Sequence, residues 1–229
     1  PSHLRPREAR ELFDSFYQTR AADSLLLFGV WTQDPTASEY APLHAIVLPQ
    51  EQMTDRTNVL AMRAAGDARY VGWVADDNRF RTPGWDRIVI EVLDRMGGGV
   101  VYGNDVVSPG SKPSQVFLSS EIVRELGWLI HPEMTMTFFD DVWQQLGRAM
   151  GRLRYLPDVV VEHLYTERDN IAAFLHDQDI YQSWLRHECE DQARRCLRAI
   201  RKGARRSSEP SSSTLTASSS TPAAGTSTR

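Results

Sequence analysis

Apolar residues recur along this chain with two different periods. Over Glu8–Thr19 they fall at Leu12, Phe13, Phe16 and Tyr17, one face of a helix, and Pro6 stands near its start, where a missing amide costs nothing. Helical spacing returns over Thr54–Ala65, which Gly66 ends. It returns again over Trp85–Met96, with Ile88, Val89, Val92 and Leu93 inward and Gly97-Gly98-Gly99 as the stop. Two further helices are predicted, Glu121–Leu126, capped by Ser119 or Ser120, and Asp140–Met150. Between the helices lie apolar runs of strand length: Ser24–Val30, His44–Leu48, Tyr70–Ala75, Val100–Tyr102, Gln115–Ser119, Arg154–Leu156 and Val159–Glu162. Glu39–Leu43 reads as a short helix or turn. Strands alternating with helices predict the α/β class, with a mainly parallel sheet flanked by helices on both faces.

Two later segments break the alternation. Asp169 to about Arg206 reads as one or two helices whose end is basic: Arg194, Arg195, Arg198, Arg201, Lys202, Arg205 and Arg206. From Ser207 the chain is Ser, Thr, Pro, Ala and Gly without core-forming residues, which predicts a disordered tail. The expected organisation is therefore a domain over 1–168, a helical extension over 169–206 and a tail over 207–229. No internal repeat is visible.

Composition narrows the function classes. With 229 residues, 41% hydrophobic and 24% charged, the chain is long enough for one large domain with a core. A net charge of −4 and a pI near 5.9 argue against a nucleic-acid binder overall. No apolar run approaches the roughly 20 residues of a membrane span. The opening PSHLRPREAR lacks the charged-then-apolar order of a secretory signal and an initiator Met, so a trimmed chain missing part of a first strand is expected. Cys189 and Cys196 fall seven residues apart on one predicted helix. At about 1.5 Å per residue their Cα atoms are about 10 Å apart, too far for a disulfide. Reduced thiols in a cytoplasmic protein, and no zinc spacing, are the expectation.

The candidate chemistry lies at strand ends, where open α/β sheets bind ligands. VGWVADDNRFRTPGWD, Val71–Asp86, runs a buried strand into Asp76 and Asp77. Two adjacent carboxylates repel unless a cation or nearby donors compensate them, and a divalent cation that also grips a diphosphate is one solution. The plainer reading is a pair of solvated loop acids. Farther on, FFDDVW sets Asp140 and Asp141 at a helix start, where a carboxylate is favoured by free amides; an N-cap explains one of them better than two. PDVVVEHLY then ends a strand with Glu162 and His163, a packed histidine or a metal ligand.

In their order and spacing these pieces resemble the GT-A glycosyltransferases, specifically family 2-like enzymes, and most closely the small versions found in phage and actinobacterial genomes. The resemblance covers about residues 1–165. It is carried by PSHLRP, by VGWVADDN in the place of the DxD motif, and by RTPGWD, VVYGNDVV and FLSSEIVRELGWL. FFDDVW in the place of the ED motif and the terminal EH complete it. The departure is Ala75, which leaves the triplet Ala75-Asp76-Asp77 without its first acid.

The resemblance implies a GT-A-like (Rossmann-like) fold and transfer of a sugar from a nucleotide-diphospho-sugar, with Mn²⁺ or Mg²⁺ between the phosphates. It implies Asp77 as the main metal ligand, Asp76 on the ribose or the metal, and His163 as a further ligand. Inversion would need a carboxylate base, Asp141 first and Asp140 second. The opening loop with Pro1, Ser2 and Arg5 would sit under the nucleotide, Arg5 against the diphosphate or simply solvated. Asp34 would face the base ring or serve the Asp34-Pro35 turn. Arg56 and Asn58 would line the nucleotide pocket or the helix surface. Trp85 and Asp86 would shape a sugar or acceptor pocket, with a core tryptophan as the competing view. Asn104 and Asp105 divide between pocket and turn. The acceptor is a protein, a glycan or a modified nucleic-acid base, and host cytoplasm is the expected place of a phage-encoded enzyme. Rival readings are a non-catalytic scaffold on the same fold, and an interaction module whose basic helix meets an anionic partner. A nucleotidyltransferase is disfavoured because PSHLRP has no glycine.

Overall fold

The computed structural model describes residues 2–135, 137–164 and 171–208. Pro1, the expected boundary at 168/169 and the tail beyond 208 lie outside the described residues. Helix α1 (Pro6–Thr19) leads to β1 (Phe28–Trp31), a 3-10 helix (Ala37–Leu43) and β2 (Ala45–Leu48). Then come α2 (Met53–Asp67), β3 (Tyr70–Trp73), β4 (Asn78–Phe80), α3 (Trp85–Met96), β5 (Val100–Asn104), β6 (Val116–Ser119) and α4 (Ser120–Leu126). The chain continues through α5 (Phe139–Ala149), β7 (Leu153–His163), α6 (Ile171–His187) and α7 (Cys189–Ser208).

The α/β class holds, with a mixed rather than mainly parallel sheet. Five strands run in the order β3-β6-β5-β7-β4, and β1-β2 form a separate pair. β1/β2 and β5/β7 are parallel, whereas β3/β6, β5/β6 and β4/β7 are antiparallel. The period-2 rule divides the strands between two cores. Val100, Val116 and Leu118 face a cluster with α2, α4, α5, α6 and α7. Val101 and Phe117 face the other, with α1, β1 and α3. The chain stops α3 at Gly97, whose φ of 64° lets the amides of Gly97 and Gly98 return to the Asp94 and Leu93 carbonyls.

Three elements depart from the sequence reading. Arg154–Leu156 and Val159–Glu162 are one strand, β7, running through Pro157, with its register against β5 shifting between Gly103 and Asn104. Gly103 is required there, because a Cβ would stand 2.4 Å from the Val159 carbonyl. β4 lies in a stretch where the pattern of apolar positions gives no strand. The C-terminal helices also join the main core: Tyr181, Trp184, Cys196 and Ile200 are buried with Trp143 and Leu146. Both cysteines are unpaired thiols in this core, and burial pushes Cys189 up to about 11 and Cys196 to about 12.

Candidate active site

The turn between β3 and β4 carries the double aspartate. Asn78 shapes it, its side-chain oxygen accepting the Ala75 amide at 2.7 Å and its own amide donating to the Ala75 carbonyl at 3.1 Å. β4 then pairs with β7 so that Asn78 stands opposite His163, while the Leu164 amide donates to the Asp77 carbonyl at 2.9 Å. This pairing brings together groups 86 positions apart in sequence: His163 Nε2 lies 3.3 Å from Asp77 Oδ1. Asp77 Oδ1 is buried, and among the described residues no hydrogen-bond donor is aligned on it. Burial alone would push the Asp77 carboxyl up, but His163 and Arg5 outweigh it and hold it low; Asp77 in turn holds the His163 imidazole up.

Asp76 faces the N-terminal loop instead. Ser2 Oγ donates to Asp76 Oδ2 at 2.7 Å and Arg5 Nη1 to Asp76 Oδ1 at 2.5 Å, while both terminal nitrogens of Arg5 stand 3.4 Å from Asp77 Oδ2. Asp76 thus has a donor on each oxygen, whereas Asp77 Oδ1 has the His163 imidazole as its contact at 3.3 Å. Burial raises the Asp76 carboxyl despite Ser2 and Arg5. Ser2 is itself held by the Gly29 carbonyl (3.1 Å) and by Tyr40 Oη (3.0 Å), so the opening loop is seated on β1.

The second acidic pair starts α5. Lys112 Nζ, on the loop between β5 and β6, stands 2.8 Å from Asp141 Oδ2 and 4.0 Å from Asp140 Oδ2. Burial and the neighbouring Asp141 push Asp140 up to about 6. Asp105 links the two acidic centres. Its carbonyl accepts the His163 amide at 3.0 Å, and its carboxylate accepts the Ser108 amide at 2.8 Å and Ser114 Oγ at 3.0 Å. Asn104 Oδ1 accepts the Val106 amide at 2.9 Å, a turn role beside the site.

Other expected site residues have structural duties. Asp34 accepts His3 Nδ1, the Leu4 amide and both the amide and hydroxyl of Thr36, at 2.7–2.9 Å. It therefore anchors the opening loop and its own turn, with no lone pair left aimed at a base ring. Arg56 is buried rather than on a helix surface, and donates to the Gln50 and Glu51 carbonyls. Asn58 clamps the Leu129–Ile130 backbone through three bonds of 2.8–2.9 Å. Trp85 packs among Phe16, Phe80 and Phe117 in the core, and Asp86 accepts the Ala21, Ala22 and Arg87 amides at 2.8–3.0 Å. Both are buried, Trp85 in the place of a core tryptophan. In the basic helix, Arg195 pairs with Glu125 and Arg194 with Glu190 and Asp191.

The sequence reading missed Lys112, Tyr40 and Asp177. Asp177, fully buried on α6, accepts the Thr135 amide and hydroxyl and the Thr137 amide at 2.8–2.9 Å, and so fixes the approach to α5. An acid inside an otherwise apolar helical face was the available signal; Lys112 gave none.

No family model and no curated protein matches this chain. Solved structures do. The mannosyltransferase PcManGT from Pyrobaculum calidifontis, in complex with GDP-Man and Mn²⁺, aligns with a TM-score of 0.57 at 12% identity, over 90% of this chain and 73% of that one. S. aureus TarS aligns with a TM-score of 0.52 at 13% identity, over 70% of this chain. TarS 1–349 gives 0.50 at 12% identity and is covered over 57% of its length. The chain spans 35% of the longer TarS chain. At such identities the likeness speaks for the fold alone, and the mixed sheet, its flanking helices and the acids at its strand ends make this a GT-A-like glycosyltransferase fold.

Proposed function

We propose that the protein transfers a sugar from a nucleotide-diphospho-sugar to an acceptor nucleophile, with inversion, in a metal-assisted reaction. The observation that carries this reading is Asp77 Oδ1, a buried carboxylate oxygen without an aligned donor among the described residues, 3.3 Å from an imidazole nitrogen at the strand ends of this fold. That donor set fits a divalent cation. Among the described residues no group of three or more His, Cys, Asp or Glu is placed to hold one, so Asp77 and His163 would supply two ligands and leave other positions for phosphate oxygens. When bound, the cation would neutralise charge on the departing diphosphate.

The chain's own groups account for the rest. Arg5, which compensates both aspartates, would turn its guanidinium to the same diphosphate. Asp76, held by Ser2 and Arg5, fixes the opening loop that would lie under the nucleotide. The Asp140/Asp141 pair supplies the base, and a carboxyl titrating near 6 is suited to taking a hydroxyl proton at neutral pH. PcManGT holds GDP-Man and Mn²⁺, which supports a sugar nucleotide and a divalent cation here. Among the described residues no helix is long and apolar enough to cross a membrane, and cytoplasmic action on a protein, glycan or nucleic-acid base acceptor is part of the proposal.

The test is a donor screen. The protein is incubated with UDP-, GDP- and dTDP-sugars, with Mn²⁺, Mg²⁺ or EDTA, and nucleotide release is followed. One donor class is expected to turn over, and EDTA or Asp77→Asn to reduce the rate by about 100-fold or more. Undiminished turnover in EDTA removes the metal. A chain neither turning over nor stabilised against heat by any sugar nucleotide is a scaffold.

A further inference from the structure

The loop between β5 and β6 is more tightly held than a connection needs. Ser108 and Ser114 close it onto the buried Asp105 carboxylate, and Tyr102 Oη donates to the Gly110 carbonyl at 3.0 Å. Gln144 Nε2, one turn into α5, donates to the Ser111 carbonyl at 2.5 Å. Val106 is kept at a φ of 71°, a left-handed conformation that β-branched residues avoid, at a cost on the order of 1–3 kcal/mol. These contacts deliver the Lys112 ammonium to the first turn of α5, between two carboxylates that would otherwise repel each other.

The delivery is asymmetric. Lys112 is hydrogen-bonded to Asp141 at 2.8 Å but stands 4.0 Å from Asp140. Asp140 Oδ1 accepts the Asp141 amide at 3.1 Å, and Asp140 Oδ2 meets the Lys112 ammonium only at the longer distance. We propose that Lys112 is a positioning residue: by engaging Asp141 it assigns the proton-accepting role to Asp140 and sets the pH at which Asp140 performs it. This deepens, and rests on, the reading of the acidic pair as the base. In the step itself the acceptor O–H proton passes to Asp140 as the new bond to the anomeric carbon forms. The old bond breaks with its electron pair leaving on the diphosphate.

The groups facing Asp140 have opposite effects. Burial and Asp141 raise its carboxyl, and Lys112 lowers it. Tyr181, from α6, senses both Asp141 and Lys112 but is a neutral phenol, raised further by burial. Loss of the Lys112 charge therefore moves the pair's titration to higher pH.

The experiment uses the full chain with Lys112→Met, Lys112→Arg, Asp140→Asn and Asp141→Asn. Carboxyl ¹³C NMR titration, which needs no turnover, should place the Asp140 midpoint about one pH unit higher in Lys112→Met and return it in Lys112→Arg. An unmoved midpoint overturns the coupling. With the donor found in the screen, the acidic limb of kcat/KM should follow the same shift, and Asp140→Asn should lose about 100-fold or more against a smaller loss for Asp141→Asn. The reverse order of losses overturns the assignment. A wild-type chain inactive on every sugar nucleotide defeats the base reading, and the proton-accepting role with it, while the titration still decides the coupling.

Discussion

Asp34, divided on sequence between a nucleobase contact and the Asp34-Pro35 turn, takes four donors that tie together the opening loop and that turn. Burial pushes its carboxyl up, but Thr36, Leu4 and His3 outweigh burial and bring it from an ordinary 3.8 to about 2. A depressed folded-state pKa stabilises the protein above the unfolded value and loses that contribution as pH falls through the folded one. Asp34→Asn should therefore cost about 2 kcal/mol at pH 7, with the deficit narrowing as pH falls from 4 towards 2. Urea denaturation of both proteins across that range measures it; a deficit independent of pH would mean that shape, not charge, ties the loop.

β4 explains why one element escaped the pattern of apolar positions. Its residues Asn78 and Arg79 are polar yet buried, because Arg79 meets the Asp76 and Asn78 carbonyls and pairs with Glu11 of α1 at 2.5 Å. Polar residues held by local carbonyls and by one distant partner, Glu11, give no strand pattern, so the strand that sets His163 beside Asp77 was invisible, although the meeting itself was legible from the acids and the imidazole at strand ends. β7 was split in two by Pro157 for the same local reason, since its shifted register depends on β5. A similar debt joins α6 to α5. Asp177→Ala would remove the buried carboxylate that accepts the Thr135 amide and hydroxyl and the Thr137 amide, which should cost about 2 kcal/mol and slow transfer through the loosened start of α5. Chemical denaturation and the donor assay check the two effects; an unchanged midpoint would show that water replaces the carboxylate.

Over the whole molecule, the helical segment that follows the alternating strands and helices packs into the larger core. Gly98 lies so close to α7 that a Cβ would stand 2.8 Å from Ile200, and α6 and α7 supply Tyr181, Trp184, Ala193 and Cys196 to the larger core. Removing residues 171–208 should give a chain without a cooperative thermal transition by circular dichroism. A shortened protein that melts sharply would show that residues before α6 fold on their own. The basic run drew attention to the exposed side of α7, while its opposite side, with Ala193, Cys196 and Ile200 at helical spacing, carried the weight.

The distribution of the six tryptophans has an optical consequence. Five are sealed in the interior, whereas Trp31 is half-covered at the end of β1, with His3 edge-on 6.0 Å away on the loop that steadies Asp76. Intrinsic emission from this protein thus contains two separable voices, an interior chorus that reports melting and one indole that hears what arrives beside the opening loop.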